Sequence, residues 1–494
     1  MSRALAVAVL IAGLTGCAVG PKFEPPAEPA VSDYVSNLPP ETAAAPVQGG
    51  DAQRFVAAAD VPADWWTLFG SPGLDALVDE ALANSPTLEA AKAALRQANE
   101  LRDAQRGTRF PTVQVGYSGA RQQDAVGTLS PTLASSDPSY SLHTTQVNVS
   151  YLLDLFGQNR RRVESAAALA EAQQFDFEGA SLTLTSNVVA AAIEEASLRE
   201  QLAATEEIVR GEREVTEILR RQADIGAIPP LDVMAQEAQL ATTEASLPAL
   251  EKQLAQQRDL LAALVGRFPS DDTLQSFHLA DLMLPRDLPI GVPSNLVRQR
   301  PDVREAEARL HAATADVGVA VGDMLPQFSL VASGGGVATQ FVDMFAAGNI
   351  FWAAGVTLSE TLFAGGALKH KKRAAEAALD QAGAEYKGVV LLAFQNVADS
   401  LHALELDAEG VGASARAEQA SARNLEATRR NVEIGAASNL ALLNAEQTYN
   451  EAQVSLAAAR ASRFADTAAL FQALGGGWGH AQADAAETGV AQSN

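Results

Sequence analysis

Two stretches, RRQADIGAIPPLDVMAQEAQ at residues 220–239 and RRNVEIGAASNLALLNAEQT at residues 429–448, each interrupt a long helical pattern at an Ile-Gly-Ala turn. They stand 209 positions apart, and seven of 21 residues are identical between 220–240 and 429–449. Upstream of the first turn, Gln158 to Ala223 contains no proline, and apolar residues recur with roughly the helical period: Val163, Ala167, Leu169, Ala172 and Phe175, then Val188, Ala192, Leu198, Leu202, Val209 and Ile218. A helix of that length is about 100 Å long. A globular core does not need such a rod, whereas a coiled coil or a tube wall does.

Other landmarks repeat in the same order. Pro86 matches Pro301, Pro111 matches Pro326, Leu155-Phe156 matches Leu362-Phe363, and Gly266 matches Gly475, at offsets of 215, 215, 207 and 209. One register across both halves marks an internal duplication. The pattern predicts in each half one long helix (158–223, 367–433) and two of half that length (74–109 and 231–266; 294–324 and 440–474). Pro248 lies inside one of these and removes a backbone hydrogen bond, so a kink is expected there.

Each half also holds two short alternating runs, at about 110–120 and 144–154 and at about 325–334 and 353–363. Val113, Val115 and Tyr117 alternate with polar or small residues, as do Val147, Val149 and Tyr151. Their length and one apolar face suit tilted membrane strands. Gly334-Gly335-Gly336, at the end of one run, reads as a loop. Four strands cannot close a barrel, and an open sheet edge is not viable in lipid, so copies of the chain must complete it. Two copies give eight strands with a filled interior; three give twelve and room for water, which favours a homotrimer.

The chain opens MSRALAVAVLIAGLTGC, with Arg3 before an eleven-residue apolar run, Ala4 to Leu14. That is too short to span a bilayer and has the build of a secretory signal. Leu14-Thr15-Gly16-Cys17 resembles a bacterial lipobox, which implies a signal peptide at 1–16 and a covalent lipid on Cys17, the sole cysteine of 494 residues. Ala18, where an aspartate resembles an inner-membrane retention signal, implies the outer membrane. Nine of the 22 prolines fall within the first 72 residues, so the segment after Cys17 reads as an extended tether. A net charge of −24 argues against nucleic acid as a partner. The six histidines show no metal spacing and there is no phosphate-binding loop, so neither an enzyme nor a metal or other cofactor is expected.

The chain resembles the outer-membrane efflux proteins of the TolC family, in the lipoprotein (NodT-like) branch of RND efflux systems. The residues that carry the resemblance are LTGC (14–17), DWWTLFGSPGLDALVDEAL (64–82), LDLFGQNRRR (153–162), LPALEKQLA (247–255), RPDVREAEARL (300–310) and LPQFSL (325–330). It implies a mainly helical, membrane-β fold: a trimeric channel with four strands per chain in a twelve-stranded barrel and a helical periplasmic tunnel. The implied divisions are a tether and equatorial segment at 17–73, repeats at 74–270 and 294–476, an equatorial linker at 271–293 and a tail at 477–494. The implied function is passive export of drugs or other small compounds, driven by an inner-membrane RND pump through a periplasmic adaptor. A duct for type I protein secretion and a poreless periplasmic coiled-coil lipoprotein remain the alternatives.

In that family the two turns form the periplasmic entrance and the adaptor's docking site, here Gly226, Ala227, Pro229, Pro230, Gly435, Ala436, Ser438 and Asn439. The charges nearby are Arg220, Arg221, Asp224, Asp232, Arg429, Arg430 and Glu433. Ringed threefold, they would hold the tube shut by ion pairs; alone, each is a solvated turn charge. Two basic runs, Arg160-Arg161-Arg162 and Lys369, Lys371, Lys372 and Arg373, follow the second strand of each half. They read as groups reaching lipid phosphates at the membrane interface or, equally, as solvated helix starts. Trp65 and Trp66 precede the first helix and are expected in the equatorial core.

Overall fold

The computed structural model describes residues 18–57, 59–123, 139–271 and 274–477. The expected signal peptide at 1–16, Cys17 and the tail at 478–494 lie outside the described residues. The chain divides into two compact units. Of the described residues, the first holds those within 18–26, Leu95–Gln173 and Ala306–Tyr386, and the second those within Ala27–Ala94, Gln174–Glu305 and 387–477. Residues 18–26, expected with the equatorial segment, thus belong with the strands.

The first unit is built on four antiparallel strands, β2 (Thr112–Gln123), β3 (Ser139–Leu153), β5 (Gln327–Ala338) and β6 (Ile350–Ser359), in the order β2-β3-β5-β6. The central pairing joins the two halves of the duplication, with Val147 opposite Gly334 and Tyr151 opposite Leu330. The strand bounds differ from the sequence reading for reasons of pairing. β3 includes Ser139, ahead of the run at 144–154, because that residue is paired with Gln123. β6 ends at Ser359, not 363, because its partner starts at Gln327, directly after Pro326, which has no N–H to donate.

The triple glycine lies inside β5, not in a loop, which corrects the sequence reading. A Cβ on Gly335 would stand 2.0 Å from the Thr145 carbonyl oxygen, and one on Gly336 2.1 Å from that of Met344. Only a residue without a side chain permits that approach.

The chain leaving β3 turns at Gly157 into a 67-residue helix, α3 (Gln158–Asp224). Asp154 accepts from the backbone N–H groups of Asn159 and Arg160 at 2.9 Å each, which caps this helix start. The N-terminal residues pack here: Val19 N–H donates to the Phe156 carbonyl at 3.0 Å, and Phe23 stacks on His311 with centroids 4.3 Å apart.

In the second unit the N-terminal strand β1 (Arg54–Ala57) pairs in parallel with β4 (Asp287–Ile290), joining segments that the sequence reading placed together. The core beside them is aromatic. Trp65 and Phe69, on one short 3-10 turn, are fully buried against Phe464 and Phe471. Arg463, also fully buried, donates to Thr42 Oγ1 at 2.9 Å and to the carbonyls of Gly49 and Asp51 at 3.2 and 2.6 Å. A single guanidinium thereby orders the loop that leads into β1.

The half-length helices preceding the strands are each split by a proline, against expectation. α1 (Pro72–Asn84) and α2 (Pro86–Gly107) flank Ser85, and α5 (Pro293–Gln299) and α6 (Pro301–Gly322) flank Arg300. Proline suits the first turn of a helix but forces the residue before it to be extended; Ser85 has ψ 121° and Arg300 ψ 124°. The remaining helices are α4 (Pro230–Leu264), unbroken through Pro248, α7 (Ala367–Glu433) and α8 (Asn439–Ala473). α3 and α7 have 67 residues each, α4 and α8 have 35 each, and every boundary is displaced by 209.

Candidate functional site

Two features stand out, the helical turns and the unclosed sheet. At the first turn Gly226, with φ 76°, follows the end of α3. Its N–H donates to Ala223 at 2.9 Å, and that of Ala227 donates to Gln222 at 2.8 Å. At the second, Gly435 has φ 74°, its N–H donates to Val432 at 3.0 Å and that of Ala436 to Asn431 at 2.7 Å. Both are Schellman closures, in which the left-handed residue after a helix satisfies its last carbonyls. No atom stands within 4 Å of a Cβ built on either glycine, so backbone conformation and not space requires them.

The turns differ in how the next helix begins. α4 starts on Pro229-Pro230 without a side-chain cap, while Ser438 Oγ caps α8 by accepting from Ala441 N–H at 3.2 Å. Ile225, Leu231, Ile434 and Leu440 are 80%, 72%, 78% and 63% exposed, so each turn presents two apolar side chains at duplicated positions. The turns also meet, since Asn439 Nδ2 donates to Asp232 Oδ2 at 3.5 Å.

Within one chain the candidate gate charges do not pair with one another. Arg220 binds Glu217 and Glu237, Arg430 binds Glu426 one turn back, and Arg429 binds Glu446 at 3.2 Å. Arg221, Asp224 and Glu433 are exposed.

The sequence reading missed a buried acidic pair beneath the second turn. Glu212 and Glu446 are 1% and 3% exposed, and each has one carboxylate oxygen without a hydrogen-bond partner among the described residues. Glu212 Oε1 accepts from Thr243 Oγ1 at 3.1 Å. Burial raises the pKa of both carboxyls; the neighbouring Glu446 adds to the rise at Glu212, and Arg429 opposes it at Glu446. A signal was present in the helical period, because Thr205, Val209, Glu212, Thr216 and Leu219 form one buried stripe with an acid at its centre.

The basic runs part company. Arg161 is buried: its Nε donates to the Val19 carbonyl at 3.0 Å, and it pairs with Glu164 at 2.8 Å. Arg162 pairs with Asp323 and Arg160 with Asp154. Arg161 therefore clamps the N-terminal segment and does not reach outward as expected. Lys369, Lys371 and Arg373 are exposed, and Lys372 pairs with Glu376.

The sheet is open on both edges. All twelve residues of β2 are exposed, including Val113, Val115 and Tyr117, and along β6 Trp352, Val356 and Leu358 are 81%, 65% and 60% exposed. Among the described residues, nothing covers this apolar surface or pairs with the backbone at its edges.

A family model described as outer membrane efflux protein matches residues 77–267 and 292–476, one block in each half. The chain is 30% identical over 444 residues to the pyoverdine export outer membrane protein OpmQ of Pseudomonas putida, covering 89% of this chain and 94% of that one. It is 29% identical over 475 residues to the toluene efflux pump outer membrane protein TtgC of Pseudomonas putida, covering 96% and 95%. The solved outer-membrane channel OprN matches with a TM-score of 0.83 at 29% identity, over 94% of this chain and 100% of that one. With model matches in both halves and strands that leave an apolar face bare, the chain belongs to the outer membrane efflux protein family.

Proposed function

We propose that three copies of this chain form a lipid-anchored duct through the outer membrane that exports small compounds. The observation that supports it most is the open four-stranded sheet. Two bare edges in lipid leave backbone groups unsatisfied, at several kcal/mol for each unpaired group, and closure with other copies removes every edge. Twelve strands leave a water-filled lumen where eight would be filled by side chains. The covalent lipid on Cys17 holds the chain at the membrane, next to residues 18–26, which pack with the strand-bearing unit.

The turns at 226–230 and 435–439 are the proposed grip of a periplasmic adaptor. Four exposed apolar side chains in duplicated pairs form the kind of patch that marks a protein-binding site. The duct is passive, takes its energy from an inner-membrane RND pump, and needs no cofactor or catalytic group. The relatives named for pyoverdine and toluene favour small compounds as cargo. Purified protein in a planar bilayer should give discrete conductance steps and run as a heat-sensitive trimer; a poreless monomer would defeat the proposal. Crosslinking from a cysteine placed at Asn439 should capture the adaptor of an RND pump. Capture of the adaptor of an ATP-driven exporter would reassign the duct to protein secretion.

A further inference from the structure

A cavity of about 810 Å³ lies between α3 and the hairpin of α7 and α8, just above the second turn. Part of its wall is apolar, formed by Val215, Leu219, Leu425, Val432, Leu442 and Tyr449, and the rest is polar. Glu212 and Glu446 also line it, each more than nine-tenths buried and each with one carboxylate oxygen unpartnered among the described residues. Such oxygens are costly to bury and call for a donor.

The surroundings restrict what that donor is. Glu207, Glu214 and Glu433, all exposed, and Asp232 also line the space, and Arg429 is the single basic group among the lining residues. Six carboxylates against one guanidinium exclude an anion. No group of three or more metal-ligating side chains occurs among the described residues, so an inorganic divalent ion lacks ligands. The volume suits a small organic molecule, and the apolar part of the wall suits a hydrocarbon or aromatic portion of it.

We propose that this cavity is a binding site for an amphiphilic organic cation, with its charge against Glu212 and Glu446 and its apolar body among Leu219, Leu425 and Leu442. A cation stabilises the ionised carboxyls, whose pKa values burial holds above the ordinary glutamate value. Affinity then increases as pH rises through the carboxyl range. Because the lining comes from both hairpins, an occupant ties the first turn to the second.

The probe is tetraphenylphosphonium, a permanent cation, titrated calorimetrically into the purified full-length protein in detergent. One saturable site per chain is expected, with affinity that increases with pH. Glu212→Gln and Glu446→Gln should each weaken it roughly tenfold or more, the value of one charge-assisted contact. Leu425→Trp, which fills the cavity and leaves both acids in place, should abolish it. Neutral triphenylphosphine oxide should not bind saturably. Absence of a saturable site, equal binding by the neutral analogue, or undiminished binding in folded Glu212→Gln/Glu446→Gln protein would overturn the proposal. The titration uses no bilayer and reads no conductance, so its failure leaves the duct untouched.

Discussion

The same ion pair closes both hairpins, yet it is not the same interaction. Arg220 pairs with Glu237 in the first and Arg429 with Glu446 in the second, and both partners are displaced by 209 positions. The arginines are equally exposed, at 49% and 50%, but Glu237 is 42% exposed and Glu446 only 4%. Duplication copied the chemistry, and packing changed its worth. Where the first hairpin has Arg220 bridging two exposed acids, the second has Arg429 as the one cation on a buried carboxylate. The first turn is stiff by covalent means, through Pro229-Pro230, while the second depends on side-chain hydrogen bonds at Ser438, Asn439 and Arg429.

The largest effect should therefore follow removal of Arg429. Arg429→Ala leaves Glu446 buried without its cation and should cost about 2 kcal/mol, near the penalty for a stranded buried polar group. Hydrogen exchange should rise across residues 439–449, and a second substitution, Glu446→Gln, should restore protection. The conductance of the trimer tests the same residue. Charge reversal at Arg429 and Arg430 together should raise it, and reversal at Arg430 alone should do little, because Arg430 is paired with Glu426 on its own exposed helix face. Unchanged conductance in the double reversal would count against an ion-paired gate.

What the hairpins share should respond alike. Gly226→Ala and Gly435→Ala each place a Cβ on a left-handed residue, at a cost of about 1 kcal/mol. Equal losses, read by hydrogen exchange at the two turns, would assign the closures to backbone geometry; unequal losses would show that the prolines of the first turn already strain it.

The comparison extends along the helices, and there it makes a pH prediction. Asp407 of α7 holds the place that Leu198, buried and apolar, holds in α3. Burial and a hydrogen bond shared with Asp466 push the Asp407 pKa up to about 7, and Arg463 opposes the rise. The folded state therefore binds a proton that the unfolded chain releases near the ordinary aspartate pKa of 3.8. That contribution is complete below this value and is lost as pH rises through about 7. Thermal unfolding should fall over this window in the native protein and less in Asp407→Asn. An equal fall in the variant would separate the pair from the pH response.

The sequence reported most of the backbone because local chemistry decides it. Absence of proline in α3 and α7, a glycine after the last turn and a proline or serine before the next place α3, α4, α7 and α8 to within two residues. Strand ends were harder, since Ser139 and Ser359 are strand residues only through their partners. Gly334–Gly336 reads as a loop until Thr145 and Met344 close on it. The turn glycines were legible for the same local reason. Glu446 and Arg161 were not: an acid or a base on a helix reads as solvated, and only segments far away in sequence bury these two.

The smallest effect, and the sharpest test of the comparison, is Arg220→Ala. Its two partners are 63% and 42% exposed, so water takes over their hydrogen bonds at once. Ion pairs of this kind contribute under about 0.5 kcal/mol, less in salt. Hydrogen exchange across residues 230–240 should hardly change, and what change there is should vanish at about 1 M salt. The Arg429 effect should persist, since the carboxylate it serves is shielded from the screening ions. If the two variants instead prove equal, Glu446 has access to water through the cavity beside it, and burial is not what distinguishes the hairpins. If Arg220→Ala proves the larger, the pair with Glu217 and Glu237 acts as a network, and the first hairpin owes its stiffness to charge more than to proline.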